Sequence, residues 1–323
     1  MSSRVTVRDV ALVDVVVVSF NSARTLGGCV APLAGNDGLN VIVVDNASAD
    51  RSIDTVSDLA VEIVALKTNR GFAFGCNRGF ETGSAPYVLF LNPDARISSE
   101  SIARLVEVLA AIGSVGLVAP RISSPDGALE LSLRRFPRLL STYSRAFFLH
   151  RAFPRVTWCN EDVWDWKEYA RPHRVEWVSG ACMLVRRSAL EQLRGWDEEF
   201  FLYGEDIDLC RRLWSAGYEV WYEPAADAVH IGGASASRPL LRPVLVSSRI
   251  RYARKHRRPL SARLEQLGIA LDELTHALFT RKGRGARVGH LRGLQTAFRG
   301  SQASRSPSRW SNSSTGDGGT LSE

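Results

Sequence analysis

No C-x-x-C pair occurs anywhere in this chain, and its five cysteines (Cys29, Cys76, Cys159, Cys182, Cys210) are odd in number and widely scattered. That pattern argues against a disulfide framework and against a zinc site, and it fits a reducing cytoplasm. No stretch approaches about eighteen uninterrupted apolar residues, so no membrane-spanning helix is expected. The apolar residues 10–20 are interrupted by Asp14, preceded by Asp9 and followed by no small-residue cleavage site, so they read as a core strand instead of a signal peptide. Gly-X-Y periods, internal repeats and long heptad runs are missing, which leaves an ordinary globular class. Neither G-x-G-x-x-G nor G-x-x-x-x-G-K-[ST] is present, so any phosphate must be held without a dinucleotide fingerprint or a P-loop.

What is present is a chain of 323 residues, 45% hydrophobic and 23% charged, long enough for one large domain with an appendage. Continuous β-branched or apolar runs at residues 13–20, 39–45, 61–66, 87–91 and 115–120 have the character of strands buried on both faces. Helical stripes separate them, among them Ile102, Leu105, Val106, Leu109 and Ile112. Strand and helix alternate, which predicts an α/β fold with an open, mostly parallel, Rossmann-like sheet whose ligands bind beyond the carboxyl ends of the strands.

Polar residues sit at those ends: Ser19 and Asn21, Asp45 and Asn46, Asn69 and Arg70, Asn92 and Asp94. Each one alone could be a turn former, but four such pairs in succession point to one shared crevice. Pro93 fixes the direction in which Asp94 leaves its strand, and that carboxylate offers hard oxygen atoms for Mg²⁺ or Mn²⁺; the competing reading is a plain Asn-Pro turn. His230 could complete a divalent site or serve only as a structural residue. Gly71, Gly75 and Gly79, spaced by four, would open one helix side either to a nucleotide or to close packing. Glu205, Asp206 and Asp208 open a further helix; the macrodipole favours acids there, and neighbouring carboxylates also raise one pKa and supply a general base, for which Asp206 is the choice.

Four regions are expected: an α/β half over 1–120, a second half with a lid-like insertion over 121–239, a basic helical extension over 240–300 and a disordered tail over 301–323. The net charge of +7 gathers at residues 247–259 and 281–293, where the helix faces are either simply solvated or meet an anionic membrane surface. Nucleic acid is not expected, because no recognition module accompanies the charge.

Together "VVVVSFN", "VIVVDNASADRS", "NRGFAFGCNRG", "LFLNPDA", "WVSGACMLVRRSAL", "GWDEEFFLYGEDIDLCRRL" and "VHIGG" resemble, in unbroken order, the family 2 glycosyltransferases, especially their rhamnosyltransferase-like branch. The resemblance implies a metal-dependent inverting transferase of the GT-A fold type. Its donor would be a nucleotide-diphosphate sugar, with dTDP-L-rhamnose the leading choice, and its acceptor a cell-wall, polysaccharide or lipid-linked glycan. It implies donor contacts from Ser19, Asn21, Asp45, Asn46, Asn69, Arg70, Gly71, Phe72, Asn77, Asn92 and Asp94. Acceptor contacts would come from Trp177, Gly180, Ala181, Cys182 and Tyr203, a divalent cation would lie on Asp94 and His230, and Asp206 with Glu205 would form the catalytic acid pair. The first acid of the family's metal motif is here Asn92, which leaves Asp94 with most of that contact. The rivals are a sugar-nucleotide nucleotidyltransferase, for which residues 19–28 lack the needed basic loop, and a non-catalytic carbohydrate-binding protein. The expected location is the cytoplasm, with peripheral contact at the inner face of the membrane.

Overall fold

The computed structural model describes residues 12–232, 238–281 and 283–299; the expected disordered tail lies outside them. The first strand, β1 (Val13–Ser19), is buried along its whole length. Val15 and Val17 pack on one sheet face with Leu26 and Val30 of α1 (Leu26–Val30), while Val16 and Val18 pack on the other. Both faces are covered, which is why a continuous β-branched run is stable there. Next come β2 (Leu39–Asp45), β3 (Glu62–Ala65), α2 (Phe72–Thr82) and β4 (Tyr87–Leu91). Parallel pairing of β1 with β2 and β4, and of β2 with β3, sets Ser19 level with Asp45 and Asp45 level with Ala65. The polar strand ends thereby share one edge.

β5 (Ala95–Ile97), α3 (Ser99–Ala111) and β6 (Val115–Ser123) follow. Residues 121–174 hold more structure than their composition announces: β7 (Leu133–Arg134), α4 (Leu139–Ala146), α5 (Leu149–Ala152) and β8 (His173–Arg174). After β9 (Trp177–Val178), which pairs with β7, β10 (Cys182–Arg186) enters the main sheet antiparallel between β4 and β6. Then α6 (Arg187–Leu193), α7 (Glu205–Ser215) and β11 (Glu219–His230) complete a sheet of order β3-β2-β1-β4-β10-β6-β11-β5, with β8 added on β11. It is the mostly parallel α/β sheet expected, flanked by helices.

The glycine row of α2 serves packing. A Cβ on Gly75 would lie 2.6 Å from Val18 Cγ1, and one on Gly79 would lie 2.3 Å from Val16 Cγ1, so α2 sits directly on β1. Asp14, the acid inside the first apolar run, accepts from the Ala85 amide at 2.7 Å and pairs with Arg187 at 2.6 Å, tying β1 to the start of α6.

Three helices follow among the described residues: α8 (Arg238–His256), α9 (Pro259–Phe279) and α10 (Arg284–Arg299). The first is joined to the sheet domain, for Ser248 Oγ donates to the Leu202 carbonyl at 3.0 Å and Tyr252 packs with Phe200 and Ile207. The basic character expected from residue 240 onward holds for α8 and α10, whereas α9 carries Leu and buried acids.

Gly79→Ala should destabilise the fold by about 1–3 kcal/mol even though Ala is the better helix former, because the methyl group overpacks Val16. The urea midpoint measures this; an unchanged midpoint would show that α2 and β1 are not in close contact.

Candidate active site

The loops after β1 and β2 are stapled together. Asn21, at φ +52°, receives the Ala49 amide on Oδ1 at 2.8 Å and donates its own amide to Ser48 Oγ at 2.9 Å. Asp45 accepts the Ser48 amide on Oδ2 at 3.1 Å, but its buried Oδ1 has no protein partner, and neither does the buried Oγ of Ser19. Buried polar atoms are normally satisfied, so two orphans level with each other at one strand edge mark a place for a polar ligand.

The next loop is fixed from below. Asn46 donates Nδ2 to the Gly71 carbonyl at 3.0 Å and accepts the Arg70 amide at 3.1 Å, and Asn69 accepts the Gly71 amide at 2.9 Å. Gly71 has φ +98°, and a Cβ there would lie 2.3 Å from the Phe201 carbonyl oxygen, which also accepts the Phe72 amide at 2.8 Å. Only glycine fits both demands. The Arg70 guanidinium lies 3.7 Å from the Phe74 ring centroid and 3.6 Å from Glu198. Asn77 is set apart from this edge: its amide is saturated by both backbone groups of Trp196 and by Glu198, and Phe72 meets the Trp196 ring edge-on.

Around β4 the Asn92 amide donates to the Ala181 carbonyl at 2.9 Å. Asp94 is nearly buried, its Oδ1 3.3 Å from His230 Nε2, because β5 pairs antiparallel with β11 and sets Ala95 opposite His230. The other imidazole nitrogen, Nδ1, lies 3.1 Å from Glu130. The Asp94 bond, helped by Glu130 against the effect of burial, pushes the imidazole up to about 9. Among the described residues no cluster of three or more His, Cys, Asp or Glu side chains converges on one point. A divalent cation bound through few protein groups would draw on the Asp94 carboxylate and, by displacing the proton on Nε2, on the His230 imidazole, with Glu130 orienting the ring from behind.

Two consecutive left-handed residues, Tyr203 (φ +66°) and Gly204 (φ +84°), turn the chain into α7. Its three acids meet three different environments. Glu205 is buried with Oε2 unpartnered, and burial, with the neighbouring Asp206, pushes its carboxyl up to about 8. Asp206 is half-buried, which raises it too, while its oxygens accept the Ile207 amide at 2.8 Å and the Gly180 amide at 3.3 Å. Asp208 is fully buried, yet His256, Arg212 and Lys255, each at 2.7 Å, overcome burial and hold it below the usual carboxylate range. Gly180 holds Asp206 and Ala181 holds Asn92, so two adjacent residues join the acid motif to the Asn92–Asp94 turn.

Trp177 donates Nε1 to the Arg135 carbonyl at 2.9 Å, with the Arg134 guanidinium 5.7 Å from its ring. Tyr203 is partly exposed. Cys182 is fully buried among Val15, Val17 and Leu89 on the α1 side of the sheet, where it packs the core and offers nothing to a bound acceptor. Sequence reasoning passed over Glu130, Arg134 and the anchoring role of Asp208; the first two lie in a stretch with no periodicity to single them out.

The mixed sheet, with β10 antiparallel between β4 and β6 and the polar strand ends gathered along one edge, is the GT-A fold. Residues 14–194 match the family described as Glycosyl transferase family 2, and the chain belongs to that family, on its rhamnosyltransferase-like side. It is 32% identical over 243 residues to the N-acetylglucosaminyl-diphospho-decaprenol L-rhamnosyltransferase of Mycobacterium tuberculosis, covering 70% of this chain and 78% of that one. To the rhamnosyltransferase WbbL of Escherichia coli it is 31% identical, over 45% of this chain and 52% of the other. In fold it is similar to the mannosyltransferase PcManGT of Pyrobaculum calidifontis, solved with GDP-Man and Mn²⁺, at TM-score 0.54 and 18% identity over 91% and 90% of the two chains.

The raised Glu205 carboxyl sets a stability expectation with a definite sign. A folded value of about 8, above the unfolded 4.5, gives a contribution complete below pH 4.5 and lost as pH rises through 8. Glu205→Gln should therefore raise the Tm above pH 8 and leave it nearly unchanged at pH 5; parallel Tm–pH curves for the two proteins would show that this carboxyl is not buried as described.

Proposed function

We propose that the chain is an inverting transferase that moves L-rhamnose from dTDP-L-rhamnose to a hydroxyl of a lipid-linked cell-wall or polysaccharide glycan, working at the cytoplasmic face of a membrane. The observation that carries this reading is the two-residue link between Asp206 and the Asn92–Asp94 turn, which gives a base and a diphosphate site one common wall. The choice of sugar and acceptor is supported by the relatives, one an N-acetylglucosaminyl-diphospho-decaprenol L-rhamnosyltransferase and another a rhamnosyltransferase.

Ser19 Oγ and Asp45 Oδ1, both lacking partners, receive the nucleoside. The Asn46–Asn69–Gly71 hydrogen bonds hold the loop that borders it, and Arg70 lies within reach of a phosphate. Asp94 and His230 would hold a divalent cation, Mg²⁺ or Mn²⁺, whose chemistry is to offset charge on the departing diphosphate. Asp206 accepts the proton of the acceptor hydroxyl as its oxygen bonds to the anomeric carbon and the carbon–phosphate oxygen bond breaks on the opposite side, inverting the centre. Glu205, the fully buried one, keeps its proton, since two adjacent carboxyls do not both ionise easily, and this leaves the half-buried Asp206 as the charged member. Gly180 aims that carboxylate, and Trp177 and Tyr203 border the acceptor.

A thermal-shift series with nucleotide-diphosphate sugars tests the donor: dTDP-L-rhamnose should stabilise most, and a larger shift with a UDP- or GDP-sugar would overturn that choice. Asp206→Asn should lower turnover at least about a hundredfold while the donor still stabilises the fold. Near-normal turnover would remove Asp206 as the base. Asp94→Ala should weaken Mn²⁺ binding in calorimetry with dTDP present, and unchanged affinity would exclude Asp94 as a ligand.

A further inference from the structure

The outer face of α9 is an inverted amphipathic surface. Leu260, Leu264, Leu267, Leu271, Leu274 and Leu278 follow alternating steps of four and three, which places them on one stripe of the helix. Five of them are exposed, Leu260 by 70%, Leu267 by 58% and Leu278 by 62%, and Leu271 is half-buried. Alongside, α4 packs on α9 with Tyr143 Oη donating to the Leu264 carbonyl at 2.9 Å, and it adds exposed Leu140 and Phe147, seven residues apart. Past the end of the stripe Phe279 is 68% exposed.

Charge is sorted in the opposite sense. The three acids of residues 238–299, Glu265, Asp272 and Glu273, are all buried. Arg257 neutralises Glu265 at 3.2 Å, Arg249 lies 3.4 Å from Asp272, and Arg242 meets Glu273 at 2.6 Å with His290 at 2.9 Å. Arg258, Arg263, Arg284, Arg287 and Arg292 are exposed. Among the described residues of the extension, the surface thus presents leucine and cations with no acidic side chain.

We infer that this leucine ridge is a docking surface for an anionic lipid bilayer, lying in the headgroup–acyl boundary with the arginines on the phosphates. No helix of the described residues is long and apolar enough to cross a membrane, so the ridge lies on the surface. A second copy of the chain fits less well. In a leucine-seamed pair the flanking positions normally carry opposite charges, and here they are Ser261, Gly268 and Thr275 on one side and Arg263, Ala270 and Ala277 on the other. The inference deepens the membrane placement proposed above by naming the surface, and it does not depend on which sugar is moved.

The test is co-sedimentation of the full chain with vesicles of phosphatidylcholine alone or containing phosphatidylglycerol, for the wild type and Leu267→Glu/Leu274→Glu. The wild type should bind the anionic vesicles at least about tenfold more tightly than the neutral ones, and the double variant should lose at least about tenfold of that affinity. Both positions are exposed, so its Tm and its transfer to a soluble acceptor should stay at wild-type level; Leu267→Ser/Leu274→Ser serves as the milder variant if the acids unfold the chain. Equal binding of wild type and both variants overturns the inference, as does equal binding to the two vesicle types. A wild-type dimer in sedimentation equilibrium that the variants dissociate assigns the ridge to self-association instead. Failure of soluble transfer by the wild type would count against the proposed reaction and leave the vesicle result standing.

Discussion

The backbone of Gly180 and Ala181 is the constraint on which the site depends. One amide of this pair donates to the Asp206 carboxylate, and the next carbonyl accepts the amide of Asn92. The pair is fixed because β10 follows at once, wedged antiparallel between β4 and β6, with Cys182 opposite Leu91. A strand held on both sides cannot slide without flipping its buried residues to the wrong face. The distance between the acid of α7 and the turn after β4 is therefore set by sheet register, which is stiffer than any loop.

The acid triplet shows how environment divides labour among like groups. Glu205, Asp206 and Asp208 occupy four consecutive positions with Ile207, yet one is buried and its pKa pushed up, one is half-exposed and aimed by amides, and one is locked by Arg212, Lys255 and the His256 ring. The last of these ties function to the chain's far end, since His256 and Lys255 come from α8. The helical extension is thereby continuous with the site: a force on α8 is felt at the first turn of α7. A surface that binds a membrane through α9 would hold the cleft in a fixed relation to the bilayer, through α8.

The strands were legible wherever both faces are covered, because residues 13–19, 39–45 and 87–91 then become continuous apolar runs. The polar strand ends were legible for the same reason, and so was the acid-led helix at residue 205. What could not be read was pairing between distant segments. Residues 182–186 look like any buried strand, and nothing local says that they run antiparallel between β4 and β6. Two-residue strands such as β7 and β9 are too short to carry a period. Gly75 and Gly79 read equally well in the sequence as a ligand face or a packing face, because only the fold sets Val18 and Val16 beneath them. Glu130 became visible only when the fold carried it to His230. The leucine spacing of residues 260–278 is present in the sequence, but its meaning depends on the fold, which turns the acids of the same helix inward.

The proposed base, Asp206, and a cation held by Asp94 and His230 would share one wall, the backbone of Gly180 and Ala181. Paramagnetic broadening of the Gly180 and Ala181 backbone amide signals by Mn²⁺, with dTDP present and Mg²⁺ as the diamagnetic reference, tests it most directly. Both signals should broaden strongly, together with those of Asp94 and His230. Sharp Gly180 and Ala181 signals beside broadened Asp94 and His230 would contradict it.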